Sequence, residues 1–297
     1  MDDPLDVIGV GDVDVDIFIR LPHRPGPDEK VVATEVRKCP GGMIGNFLVA
    51  LASFGTRCGI IGVVGDDADG RLIRANLEQR RVCTHALRTH PHAATFTCVI
   101  MIDADGEKSL ILLPTDAFWP DMEDVTPARL ARARHLHTTA DRPVIAAAAL
   151  ALAHELGLQT SLDLEVGKFA DEPIDWSDLL THTDILFTNR RSCRLLTGSD
   201  DVWRAVHLLR HKGPDCVAVT CGAAGAVLCD ETGIISLPAK PAAAVDTTGA
   251  GDRFAAALLH ARLQAWPSDR QLQFALLHAS RAVEDLGGEA GLYLSSD

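Results

Sequence analysis

The chain has 297 residues, 47% of them hydrophobic and 23% charged, enough apolar material for one large α/β domain or two smaller ones. A formal net charge of −13 argues against a general nucleic-acid or anionic-membrane surface. The longest apolar stretch, residues 144–153, is too short to cross a bilayer, and the acidic start Met1-Asp2-Asp3-Pro4 is not patterned as a signal peptide.

Eight cysteines without a C-x-x-C pair read as small buried side chains in a reducing cytoplasm, not as a disulfide framework or a zinc site. Residues 6–11 predict a buried strand ending in glycine. Gly9-x-Gly11 does not continue as a dinucleotide-binding turn, because the third glycine position holds Asp14. The following residues 17–27, with Pro22, Pro25 and Pro27, are extended rather than helical. Asp12, Asp14 and Asp16 alternate, so in extended chain they share one face. Such a face can accept hydrogen bonds from several hydroxyls of a polyol, form a solvated strand edge, or hold a metal.

A strand is expected over residues 29–38. Residues 39–55 then read as a Gly41-Gly42 turn opening an apolar helix that ends in glycine, with Asn46 on its first turns. Residues 58–67 predict a strand and turn, and residues 70–82 an amphipathic helix. Residues 95–102 and 108–113 predict a hairpin around Asp103-Ala-Asp-Gly106.

From residue 126 strands and helices alternate. Helices are expected from Thr126-Pro127 and at 144–155 and 201–212, with strands at 133–136, 158–162 and 184–187. This pattern implies a mainly parallel sheet covered on both faces, with ligands at the carboxyl ends of strands. His135 and His137 could face one way as metal ligands, but no third ligand is evident and packing is the simpler reading. Asp163-x-Glu165 follows one strand and Asn189-Arg-Arg-Ser192 the next. Thr220-Cys-Gly222-Ala-Ala-Gly225 closes another strand and, taken alone, is a hairpin turn.

Residues 246–254, Asp-Thr-Thr-Gly-Ala-Gly-Asp-Arg-Phe, precede an Ala/Leu run at helical spacing that extends to residue 265. Gly249 and Gly251 therefore lie at a helix start. There they would let a phosphate approach unpaired backbone N–H groups favoured by the helix dipole. Asp252 projects from this turn and could accept a hydrogen bond from an attacking hydroxyl. Read structurally, the same residues are a flexible helix start whose acid complements the dipole. A last helix is expected at 279–286 and a glycine loop at 287–291.

Asp246-Thr-x-Gly249-Ala250-Gly251-Asp252 resembles the C-terminal signature of the ribokinase-like (PfkB) carbohydrate kinases. Gly41-Gly42-x-x-x-Asn46 resembles the N-terminal one, and Thr220-x-Gly222-x-x-Gly225 the nucleotide loop. The resemblance runs from Gly11 to Gly291. It implies a three-layer α/β/α sandwich with a mainly parallel sheet and a small β-strand lid, as a single domain over 1–297 with lid segments at about 16–38 and 93–113. It also implies an ATP-dependent kinase of a sugar or sugar-like alcohol.

In that reading Asp252 is the general base and Gly249, Ala250 and Gly251 form an anion hole. Asp14, Asp16, Gly41, Gly42 and Asn46 hold the acceptor, and Asn189, Thr220, Gly222 and Gly225 the nucleotide. Asp246 and Thr248 are candidates for a monovalent cation such as K⁺. The chain departs from the pattern at Met43, where ribokinases often carry Lys; that argues against ribose itself and against phosphosugars needing a cation there. It departs again at Ser192, where a Glu usually helps to organise Mg²⁺. Asp163 or Glu165 could supply that carboxylate through water. The expected partners are a sugar or nucleoside, without nucleic acid or membrane, and exposed lid edges would admit a homodimer. The rival readings are a nucleoside kinase and a catalytically weak sugar- or nucleotide-binding protein.

Overall fold

The strand expected at residues 6–11 is β1 (Val7–Val10), and it lies inside a nine-stranded sheet, paired in parallel with residues 58–61 on one side and 135–138 on the other. The computed structural model describes residues 4–166, 176–243, 245–284, 287–289 and 292. After β1 come β2 (Asp14–Arg20), β3 (Glu35–Gly41), α1 (Met43–Ser53), β4 (Cys58–Gly65), α2 (Ala68–Gln79) and β5 (Cys83–His90). Next are β6 (Thr97–Ile102), β7 (Lys108–Leu113), α3 (Pro127–Leu130), β8 (His135–Thr139), α4 (Pro143–Glu155) and β9 (Gln159–Leu164). The chain continues through α5 (Ser177–Thr181), β10 (Ile185–Asn189), α6 (Arg190–Thr197), α7 (Val202–Arg210), β11 (Cys216–Thr220), β12 (Ala226–Asp230) and β13 (Gly233–Leu237). Helices α8 (Ala250–Leu263) and α9 (Ser268–Ala282) follow.

The large sheet has the order β13-β12-β11-β10-β9-β8-β1-β4-β5. It is parallel from β11 to β5, and β12 runs antiparallel to both neighbours. Its inner strands bury both faces, as a covered parallel sheet must, while the edge strands β5 and β13 stay partly exposed. Ile185 and Phe187 of β10 pack into one core with side chains of α1, α2, α8 and α9. Leu186, between them, packs into a second core with α4, α5, α6 and α7. The result is the expected three-layer sandwich.

A second sheet, ordered β3-β2-β6-β7, uses the segments expected to form the lid. Its outer pairs are antiparallel and its central pair, β2–β6, is parallel. It buries its own small core of Phe18, Cys98, Ile100 and Ile102.

Several boundaries differ from expectation. The strand expected at 29–38 is β3, which starts at Glu35 and runs into the Gly41 turn. The helix expected at 70 begins at Ala68, because the Asp67 side chain accepts the Gly70 N–H at 2.7 Å and caps it there. Strand β8 lies two residues beyond the expected start at 133. Strand β5 was not expected: its Thr, His and Arg side chains hide the buried Thr84 and Leu87, as an edge strand permits. The last helix runs 268–282 rather than 279–286; residues 285 and 286, and the loop residues 290 and 291, lie outside the described residues. All eight cysteines are free, and among the described residues no helix is long and apolar enough to cross a membrane.

Candidate active site

Helix α8 begins at Ala250, and its cap, Gly249, is left-handed at φ 73°. A side chain at 249 would be strained there and would also run into the backbone of Gly288. Only glycine lets these two segments touch. The first-turn N–H groups of a helix have no partner within it, so the 249–252 turn presents donors at a positive helix end. Asp252 lies in that first turn and is buried, 8% exposed.

Asn46 reaches the same place from α1, its Nδ2 donating to Asp252 Oδ2 at 3.0 Å. Its Oδ1 is buried and has no hydrogen-bond partner among the described residues. Gly288 packs against this amide so closely that a Cβ there would collide with it.

The start of α1 is fixed by Asp12, whose carboxylate accepts the N–H groups of Met43 at 3.0 Å and Ile44 at 3.4 Å. Asp12 therefore precedes β2 and caps a helix. It does not share a strand face with Asp14 and Asp16 in the way alternation implied. Those two carboxylates converge over Gly41, where a Cβ would strike both of them. Both are buried. Burial, and then the charges of Asp246 and Asp12, push the Asp16 carboxyl up to about 7.

Asp246 is buried beside the same turn. Its Oδ1 accepts the Thr248 N–H at 3.0 Å and hydroxyl at 2.7 Å, and its Oδ2 accepts the Gly287 N–H at 3.1 Å. Lys108, from β7 of the small sheet, donates to Asp246 Oδ1 at 3.1 Å and Thr248 Oγ1 at 3.0 Å. Burial opposes ionisation of Asp246, but these hydrogen bonds and the Lys108 charge outweigh it and hold the carboxyl below its ordinary value. The oxygen pair expected to take a monovalent cation thus carries an ammonium from the protein itself.

On the other side of the turn is a cavity of about 570 Å³. Thr220, Gly222 and Gly225 of the β11–β12 connection line it, together with Lys240, Ala250, Gly251, Leu276 and Val283. The connection is both the hairpin turn that its sequence suggests, since β11 and β12 are antiparallel, and a wall of this cavity.

Asn189 caps α6, its Oδ1 accepting the Ser192 N–H at 2.9 Å, while its Nδ2 donates to Glu165 Oε1 at 3.3 Å. Glu165 lies just past the carboxyl end of β9, next to the end of β10. Ser192 is buried, 1% exposed, and its hydroxyl accepts the Val166 N–H at 2.9 Å. The hydroxyl ties the first turn of α6 to the segment that follows β9 and is occupied in doing so. A second cleft, about 650 Å³, runs along Arg190, Arg191 and Arg194 of α6. Of the Asn189-Arg-Arg-Ser192 motif only its two arginines line it, and none of the candidate site residues does.

The expected acceptor and turn residues thus meet at one place, the nucleotide-loop residues border the adjoining cavity, and Asn189 and Glu165 lie together at the neighbouring strand ends. His135 and His137 do face one way, but both reach the Ser161 hydroxyl, at 2.7 and 2.8 Å, in the core. His137 also stacks on Phe47 with ring centroids 3.7 Å apart. Burial holds the His137 ring well below its usual range, as packing residues require. Among the described residues no group of three His, Cys, Asp or Glu side chains could hold a metal ion. Sequence reasoning missed Lys108, Gly288 and the capping role of Asp12. Only Asp12 left a local signal, lying directly ahead of the two converging acids.

Over residues 6–292 the chain matches the sequence profile described as pfkB family carbohydrate kinase. It is 32% identical over 291 residues to the ATP-dependent ribose-1-phosphate kinase of Halopiger xanaduensis, covering 96% of this chain and 93% of that protein. It is 27% identical to a nucleoside kinase of Methanothermobacter thermautotrophicus, covering 98% and 94% of the two chains. Among solved structures it is similar to Arabidopsis thaliana ribokinase complexed with ribose and ATP, with a TM-score of 0.82, 26% identity, and coverage of 96% and 94%.

Proposed function

The chain belongs to the pfkB family of carbohydrate kinases, and on that footing we propose that it transfers the terminal phosphoryl group of ATP to a hydroxyl of a ribosyl sugar through the Asp252 turn. The observation that carries the assignment is the two-sidedness of that turn. Ala250 and Gly251 line the 570 Å³ cavity, while Asp252 meets Asn46 on the other side. A phosphoryl group bound at the turn therefore has a donor-molecule cavity behind it and an acceptor site before it.

In this reading the nucleotide occupies the cavity, with Thr220, Gly222 and Gly225 beside its base and sugar and Asn189 toward its phosphates. First-turn N–H groups at 249–252 stabilise charge on the group in transfer. Asp14 and Asp16 grip acceptor hydroxyls over Gly41 and Gly42. Asn46 Oδ1, left without a protein partner among the described residues, is a ready acceptor for one more hydroxyl proton. Asp252 accepts the proton of the attacking hydroxyl, and its Asn46 hydrogen bond orients the carboxylate for that task. The lid limits water at the site and so suppresses ATP hydrolysis. The whole chain acts as one unit, with the small sheet as its lid.

Mg²⁺, when bound, neutralises phosphate charge. The donor set fits a water-mediated hold by Glu165 at the strand ends, since hard oxygen ligands and water suit this ion. Direct coordination would fall mainly to the nucleotide phosphates.

The ribosyl class is favoured by the names of the relatives: ribose-1-phosphate kinase and nucleoside kinase both describe a ribose substituted at its anomeric carbon. Nucleoside kinase is thus the second reading. Exposed Val36, Leu110 and Leu113 on the small sheet support a homodimer through the lid. Measuring ADP release with ribose, ribose-1-phosphate, fructose and a set of nucleosides tests the proposal. Turnover confined to ribosyl acceptors is expected. Saturable binding of these compounds without ADP release would instead identify a binding protein.

A further inference from the structure

We propose that Lys108 is a positioning residue of the phosphoryl-transfer site. Its ammonium, carried on the lid, is the resident cation of the Asp246–Thr248 pair, so that lid closure sets the turn without a free monovalent ion. The inference rests on the kinase reading for its consequence, though not for its geometry.

The Asp246 side chain is 0% exposed, and a buried carboxylate needs hydrogen-bond donors and a countercharge. It has both. Thr248 gives two donors, Gly287 one, and Lys108 a fourth that carries the charge. Three of these donors converge on Oδ1, which leaves that oxygen no room for a further partner, and the Gly287 N–H holds Oδ2. The Thr248 hydroxyl donates to Asp246 and accepts from Lys108. A free K⁺ would have to displace the ammonium or sit against it, and repulsion at that range disfavours the second arrangement. The oxygens therefore do not fit an additional monovalent cation.

Lys108 is held in register for this role. It opens β7 opposite Ile102, at the tip of the lid hairpin. That tip is pinned by Asp103, whose Oδ1 accepts the N–H groups of Asp105 at 3.2 Å and Glu107 at 2.9 Å and whose Oδ2 accepts from Arg24 at 3.0 Å. The ammonium thus projects from a braced support and crosses 138 residues of sequence to reach Asp246. Asp246 in turn orients the Thr248 N–H, and the next residue, Gly249, caps the helix that carries Asp252. Loss of the ammonium leaves a buried carboxylate undercompensated directly beside the phosphoryl-binding turn. The chain links lid position to turn geometry through three side chains.

The test uses the full-length wild type with Lys108→Ala and Lys108→Arg. Turnover is read in K⁺ and in tetramethylammonium buffers, with and without added propylammonium. Thermal midpoints are read in the same series without acceptor. Wild-type kcat and midpoint are expected to be indifferent to the buffer cation. In Lys108→Ala, kcat should fall about 10-fold or more, the usual size for a lost charge-assisted hydrogen bond, with little change in the KM for ATP. K⁺ or propylammonium should restore part of that loss and raise the midpoint of this variant alone, and Lys108→Arg should retain more activity than Lys108→Ala. A wild type that requires K⁺ overturns the proposal, as does a Lys108→Ala enzyme with unchanged kcat or one whose defect no cation relieves. If the wild type phosphorylates no acceptor the kinase reading fails by itself. The midpoints still decide then: stabilisation of Lys108→Ala alone by K⁺ or propylammonium upholds the ammonium's occupancy, and its absence overturns it.

Discussion

Asn46 and Asp252, 206 residues apart in sequence, are joined by a hydrogen bond of 3.0 Å from the amide Nδ2 to the carboxylate Oδ2. The bond brings the first turns of two helices together and orients the Asp252 carboxylate between them. An amide is well suited to this task, because it donates to the carboxylate while its own Oδ1 stays available as an acceptor.

Asp252→Asn should therefore keep the fold and nucleotide affinity while kcat falls on the order of 100-fold or more, the usual size of general-base assistance. Steady-state ADP release and calorimetric titration with ATP provide the two measurements. Near-wild-type turnover would remove Asp252 from the chemistry.

Asn46→Ala removes the donor to Asp252 and the buried acceptor together. We expect kcat/KM for the acceptor to drop roughly 10- to 100-fold, as for a lost hydrogen bond to a charged group. The KM for ATP should hold, since Asn46 is not among the residues lining the nucleotide cavity. A variant impaired for ATP alone would contradict the two-sided arrangement.

Asp16 gives a pH-dependent prediction whose sign follows from linkage. Its carboxyl rises from 3.8 to about 7 in the folded chain, mainly through burial. Between those values the native state holds a proton that the unfolded state has lost, so this group lowers stability as pH rises from about 4 to 7. Asp16→Asn should flatten that part of the profile and raise the thermal midpoint at pH 8 relative to wild type. The same change should raise the acceptor KM, because a neutral amide grips hydroxyls less strongly than a carboxylate. A midpoint unaffected at pH 8 would show that Asp16 ionises without penalty.

Ser192 and Glu165 make opposite predictions about Mg²⁺. Replacing Ser192 by Glu discards the bond to the Val166 N–H and forces a carboxylate into a buried position. Ser192→Glu should lower the thermal midpoint and fail to reduce the Mg²⁺ needed for half-maximal activity. Glu165→Gln should raise that requirement with little change in stability. A Mg²⁺ titration at fixed ATP, run on both variants, separates the two positions. A leftward shift for Ser192→Glu would return the metal-organising role to that site.

The sequence made the sandwich and both glycine-marked helix starts readable because their signals are local. Gly41-Gly42 ahead of an apolar run and Gly249-Ala-Gly251-Asp252 ahead of another each carry their backbone requirement in a few adjacent residues. The β-hairpin at 103–106 was legible for the same reason. Lys108 was not, because its meaning depends on Asp246, which no periodicity connects to it. Gly288 matters only through its contact with Asn46 and Gly249. Ser192 looked like a missing carboxylate in sequence. Its inward-facing hydroxyl became visible only when Val166 was placed beside it. Strand β5 was missed because polar side chains on its open face diluted the alternation.

The order of the large sheet also bears on how the protein comes to be folded. Strand β1 pairs with β4 and β8, so Val7 meets Cys58 on one side and His135 on the other. By contrast β8 to β13 lie in the sheet in consecutive chain order. The later half can zip together from near neighbours, whereas β1 waits through more than a hundred residues of synthesis for its second partner. Long-range pairings of this kind slow folding, because large loops must close before the contacts that reward them exist. Until β8 emerges from the ribosome, the apolar β1 lacks its native partner on one edge, and an unpaired apolar edge invites wrong pairings.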